Sequence, residues 1–127
     1  MFGILKKNEL ETTNKLFQLT VHIGRGSSAE MPENLIGAYV PIFVGAQDHE
    51  AAAMKAVLSL TQRGFEFIHI ADGKIHELDP KKWNSFVKES WPEFDTYFPS
   101  QATVLHQLNS EFLFTGPFAG YEAQENA

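Results

Sequence analysis

Five histidines and a dense set of aromatic rings are the groups through which this 127-residue chain could do chemistry. His69 and His76 come first. Each lies in a run that alternates apolar with polar residues, Phe65 to Ala71 and Lys74 to Leu78, and Asp72-Gly73 stands between the runs. Asp-Gly in that setting is the signature of a type I′ hairpin. The implied register sets His69 opposite His76, with Cα atoms about 5.5 Å apart. Two imidazoles at that separation can share a proton or hold two positions of a divalent ion, though a catalytic zinc site takes a third protein ligand. His22, on the polar side of an earlier alternating run, is the candidate third member. The plainer reading is a cross-strand pair on a partly exposed surface. It carries more weight, so neither a metal nor a cofactor is expected.

The aromatic residues give a second set of candidates. Tyr39, Phe43, Phe65 and Phe67 lie on strand-like runs whose opposite faces are well supplied with aliphatic side chains. Together with His69 and His76 they define a possible ligand-binding or dimer face. Large rings left exposed as a patch call for a partner, be it a second copy, a ligand or another protein. The alternative is that a helix or a loop covers them.

Charge by position supplies a third. The formal net charge is −6, with 16 acidic and 10 basic side chains. Residues 1–88 are balanced. Residues 89–127 hold Glu89, Glu93, Asp95, Glu111, Glu122 and Glu125 and no Lys or Arg. The same stretch is aromatic, and Trp91, Glu93, Phe94, Asp95, Tyr97 and Phe98 interleave the two kinds of residue. Rings that fill pockets and carboxylates that steer encounter are what a surface needs to hold a basic protein partner. Against this, rings are ordinarily core and acids ordinarily keep a surface soluble.

Several chemistries find no motif. The chain has no cysteine, which removes disulfides, zinc thiolates and thiol catalysis. There is no G-x-S-x-G, H-E-x-x-H, S-x-x-K or calcium loop. Gly24-Arg25-Gly26-Ser27-Ser28 could cradle an anion, but no helix pattern follows to supply a dipole, and a plain connection is the better reading. The acidic balance argues against nucleic acid and anionic membranes. The longest apolar run, Gly37 to Ala46, has ten residues including Pro41, well short of the ~20 of a membrane helix. A cytoplasmic protein is the expectation; no motif supports an enzyme, and the reading leans away from one without excluding it.

The elements that must position these residues follow from periodicity. Residues 16–23 alternate as a half-buried strand, with Phe17, Leu19, Val21 and Ile23 on one side. Residues 38–44 form a second strand in which Pro41 favours an edge or a bulge. Asp48 caps a helix over 49–63 that carries Ala53, Met54, Val57, Leu60 and Thr61. The hairpin of 65–78 comes next. Asp79-Pro80 opens a second helix with Trp83, Phe86, Val87 and Trp91, and Pro92 closes it. Residues 92–99 read as a loop, Ser100 caps a short helix, and a last strand runs from Phe112 to near Tyr121. The order is β-β-α-β-β-α-α-β. It predicts one α+β domain over 1–127, a mostly antiparallel sheet with helices on one face in a ferredoxin-like variant. Residues 1–14 and 122–127 read as peripheral or flexible. The function that fits is a non-catalytic binding protein of the inhibitor or immunity type. The alternative is a homodimeric small-ligand-binding protein or small enzyme using His69 and His76.

Overall fold

The computed structural model describes residues 14–123. Strand β1 (Lys15–Gly24) pairs antiparallel with β2 (Leu35–Ala46), from Lys15 with Ala46 to Gly24 with Gly37. There follow α1 (His49–Thr61), β3 (Glu66–Leu78), α2 (Trp83–Ser90), α3 (Gln101–Gln107), β4 (Leu113–Thr115) and β5 (Ala119–Glu122). The fold is α+β with a five-stranded antiparallel sheet in the order β3-β1-β2-β4, and β5 also pairs with β2. This order stands in place of the expected ferredoxin-like one. The outermost residues, 1–13 and 124–127, lie outside the described range, so the expectation of flexible ends is addressed only at Asn14, Glu122 and Ala123. Of these, Asn14 is hydrogen-bonded to Asn109 and to the Leu108 carbonyl, and Glu122 belongs to β5.

Strand alternation divides the core in two. Phe17, Leu19, Val21 and Ile23 of β1 and Val40, Ile42 and Val44 of β2 face one way and meet Ala52, Ala56 and Leu60 of α1. Alanines one helical turn apart let α1 lie close to the sheet, and the Asp48 carboxylate caps it by accepting from the Ala51 N–H at 2.8 Å. The buried stripe is offset from the expected one, so Met54 points to solvent. Leu16 and Phe43 face the other way and meet Trp83 and Val87 of α2, Phe98, Val104 of α3, Leu108 and Phe112. Helices therefore cover both faces, which corrects the expectation of one. The Trp83 indole N–H donates to the Pro99 carbonyl at 2.8 Å, and Asn84 and Gln101 exchange side-chain-to-backbone bonds. These links hold α2 and α3 together as one lid.

The second correction concerns residues 66–78, which do not fold back on themselves. Both halves pair with β1: Leu78 with Leu16 and Ile75 with Leu19, then Ile70 with Val21 and His69 with His22. Asp72 and Gly73 do take φ of 60° and 61°, as an Asp-Gly turn requires. They form a bulge in one long strand instead of a turn between two. The reason is competition for an edge. β1 offers its whole open side to both halves, and that pairing exceeds what the two halves offer each other. His76 consequently faces Gln18, not His69.

Two further details follow from backbone chemistry. Pro41 lies inside the sheet, opposite Thr20 on β1, where no edge position was available. Its carbonyl accepts from Gly116 at 2.8 Å, on the side where β4 has ended and β5 has not begun. The missing proline N–H falls on that same side, in the gap between the two short strands. The loop between β1 and β2 is ordered by Arg25, which donates to the carbonyls of Met31, Pro32 and Leu35. The guanidinium is thus committed to backbone and does not cradle an anion. Glu30 ties the loop to the end of α1 through Arg63, at 2.6 Å.

The register predicts which engineered disulfides close. In a chain without native cysteine, Gln18→Cys with His76→Cys should oxidise readily, because antiparallel partners meet the Cα separation a disulfide needs. His69→Cys with His76→Cys should not; its ready closure, read by mass spectrometry, would restore the hairpin. A second expectation concerns pH. The hydrogen bond from Arg63 holds the Glu30 carboxyl below the ordinary glutamate value. The ion pair therefore persists at neutral pH, and its contribution is lost as pH falls through that lowered value. Titration followed by NMR should show the Glu30 midpoint rising in Arg63→Gln; an unchanged midpoint refutes the assignment.

Candidate functional site

α2 and α3 cover only the end of their sheet face that carries Leu16 and Phe43. The other end is uncovered, and a row of side chains crosses it. Pairing sets His69 of β3 beside His22 of β1, His22 beside Tyr39 of β2, and Tyr39 beside Ala119 of β5. The His22 ring stacks on Tyr39 with centroids 4.3 Å apart and planes 13° from parallel, and lies 5.0 Å from His69. Tyr121, on the same face opposite Gly37, shares a 2.6 Å hydrogen bond between its Oη and His22 Nε2.

Gly37 makes this arrangement possible. A Cβ there would stand 2.5 Å from Tyr121 Cζ and 2.9 Å from the Ile23 carbonyl oxygen. His22 Nδ1 is buried and has no hydrogen-bond partner. The tautomer that places the proton on Nε2, where an acceptor waits, avoids stranding an N–H at Nδ1. On that assignment Nε2–H donates to Tyr121, whose own hydroxyl hydrogen remains to be offered outward.

Tyr39 links the row to a cavity of about 300 Å³ beside it. Thr20, Pro41 and Ala119 of the sheet line it together with Pro117 and Phe118, and Trp91 and Phe94 wall it from the segment after α2. That segment, expected as a plain loop, contains a short 3-10 turn over Pro92–Phe94. Trp91 is half-buried and packs on Phe98 at 5.6 Å, while Phe94 and Tyr97 are 41% and 57% exposed. Glu93 and Asp95 are exposed on either side of Phe94.

The expected site residues are therefore divided. Tyr39 and His69 share the uncovered face, and His76 lies further along it, exposed. Phe43 points to that face but is fully buried under α2 and α3. Phe65 is buried in the α1 core, and Phe67 faces α1 because it pairs with Ile23. Neither shares a face with His69. Phe98 belongs to the core beneath α2 and cannot present its ring to a partner. Trp91, Glu93, Phe94, Asp95 and Tyr97 remain at the surface wholly or in part. Tyr121 and the cavity itself were not anticipated; His22 on the polar side of its strand was the available signal.

A separate apolar groove of about 570 Å³ lies between α1 and β3, lined by Met54, Val57, Leu58, Thr61, Phe67 and Ile70. Among the described residues, no three of His, Cys, Asp and Glu gather as a metal-ligand set, and no helix is long and apolar enough to cross a membrane. No protein-family model matches the chain, and comparison with curated proteins and with solved structures returned no match.

The Gly37–Tyr121 contact predicts a coupling. Gly37→Ala should cost roughly 1–3 kcal/mol in chemical denaturation, the usual penalty for overpacking. The cost should shrink when Tyr121 is already Ala, and an equal cost in both backgrounds would refute the contact.

Proposed function

We propose that this is a non-catalytic binding protein that holds a basic protein partner through its acidic, aromatic C-terminal third, in the manner of an inhibitor or immunity protein. One observation carries the reading. The Trp91–Tyr97 segment sets the exposed rings of Phe94 and Tyr97 beside the exposed carboxylates of Glu93 and Asp95, at the border of an uncovered sheet face. Glu89, Glu111 and Glu122 are exposed as well, and residues 89–127 contain no Lys or Arg. A basic partner meets rings that can be buried and a field that attracts it, and no cation of this stretch competes.

A second reading draws on the His69–His22–Tyr39 row. An uncovered face with a buried, unpartnered nitrogen suits a small ligand or a second copy of the chain. It predicts a solution mass near twice 14.3 kDa by light scattering. A mass of 14.3 kDa at high protein concentration removes the homodimer.

The leading reading is tested by Glu93→Lys combined with Asp95→Lys. Both positions are exposed, so the fold should survive, as circular dichroism can verify. Affinity for a basic partner recovered by cross-linking should fall about tenfold at low salt, and its dependence on salt should flatten, because the reversed charges no longer attract. Unchanged affinity and unchanged salt dependence would defeat the proposal.

A further inference from the structure

We infer that the cavity walled by Tyr39, Trp91 and Phe94 is a socket for one arginine side chain of that basic partner. The inference rests on the function proposed above and names the chemistry of its anchor.

The walls are the first argument. Among the described residues the lining has four aromatics, Tyr39, Trp91, Phe94 and Phe118, and two prolines but no Leu, Ile, Val or Met. The groove between α1 and β3, by contrast, is lined mainly by aliphatic side chains, Met54, Val57, Leu58 and Ile70, with Phe67 as its single aromatic among the described residues. An aliphatic anchor is served by aliphatic walls. Aromatic faces carry negative quadrupole density and attract a cation, and a planar guanidinium also stacks on them. Among the described residues no Lys, Arg or His lines the cavity, and the nearby Arg63, on the Phe118 wall, is paired with Glu30.

Size and order point the same way. At about 300 Å³ the space lies at the small end of ligand sites, enough for one side chain. Its walls are already held. Tyr39 is stacked on His22, Trp91 rests on Phe98, and Phe94 packs on Trp91 with centroids 6.3 Å apart. An incoming side chain therefore does not have to order them. The molecule uses the same contact internally, where the Arg63 guanidinium lies 5.4 Å from the Phe65 centroid and 5.6 Å from that of Phe118. Charge completes the case. Exposed Glu93 separates Trp91 from Phe94 in the chain, Asp95 follows, and both favour a cationic occupant over a neutral one.

The test titrates the full chain with two capped tripeptides, Gly-Arg-Gly and Gly-norleucine-Gly, while NMR follows the two indole N–H signals. The arginine peptide should shift the Trp91 signal saturably and bind at least tenfold more tightly than the norleucine peptide. The Trp83 signal, locked on the Pro99 carbonyl, should not move. Phe94→Ala, which keeps the reporting indole and lies at an exposed position, should weaken arginine binding several-fold; unchanged affinity in that variant also overturns the socket. Equal binding of the two peptides, or no shift with arginine up to its solubility limit, overturns the socket. If arginine fails while Glu93→Lys with Asp95→Lys still weakens a basic partner, the socket is wrong and the proposed function stands. If arginine binds but charge reversal leaves the partner's affinity unchanged, the function is wrong and the cavity remains a cation site.

Discussion

The antiparallel pairing of β1 with β2, ten residues long and without a register shift, decides which side chains can meet anywhere else in the molecule. Side chains alternate between faces, so this one register assigns Phe17, Leu19, Val21 and Ile23 to α1 and Leu16, Gln18, Thr20 and His22 to the opposite side. β2 follows, sending Tyr39 and Phe43 to the second face. A slip of one residue would expose the first set and bury His22 and Thr20 against α1. The aliphatic side chains resist that slip because each of the four on β1 is fully or almost fully buried.

From this register the division of the second face follows. Leu16 and Phe43 sit at one end, and the lid of α2 and α3 closes over them. Its central ring, Trp83, meets Phe43 edge-on with centroids 5.3 Å apart. The polar and amphipathic members, Thr20, His22 and Tyr39, lie toward the other end. Burying them under helices would require partners for each hydroxyl and ring nitrogen. The chain instead leaves that end open, stacks His22 on Tyr39 and gives His22 Nε2 a partner in Tyr121, while Nδ1 has none. Where the lid stops, Trp91 and Phe94 stand beside Tyr39, and the cavity is the seam between the covered and uncovered halves.

Much of this was legible in the sequence where local chemistry acts alone. The alternation of 16–23, the Asp48 cap, the Asp79-Pro80 start and the Pro92 stop all correspond to observed elements. The hairpin shows where such reading ends. Asp72-Gly73 adopts the backbone that its composition favours, yet the partner of each flanking strand is set by β1, a choice no local window contains. The same blindness misplaced Phe43, Phe65, Phe67 and Phe98. A phenylalanine on an alternating strand announces that it needs cover, not which helix will provide it. His22 was recognised as facing away from its apolar neighbours, but its true companions come from β2, β3 and β5. Tyr121, 99 positions later in the chain, is brought to it only by the pairing of β5 with β2.

The molecule thus exposes two apolar regions of different kinds, and their composition separates their uses. The groove beside α1 is aliphatic and flanks β3, an outer strand of the sheet. Its outward edge is interrupted by the Asp72-Gly73 bulge, with Asp72 and Lys74 exposed there. Bulges and charges at an edge discourage strand addition, so this side is guarded against indiscriminate pairing. The seam beside Tyr39 carries no such guard. Exposed Glu93 and Asp95 follow its Trp91 wall in the chain, Arg63 is already paired with Glu30 beside its Phe118 wall, and its rings pack on one another before any partner arrives. A surface that rejects neutral strands on one edge and presents ordered rings with acids on another is biased toward selective, charge-dependent contact. That asymmetry, more than the net charge of the chain, is the ground on which a basic partner is proposed for the seam.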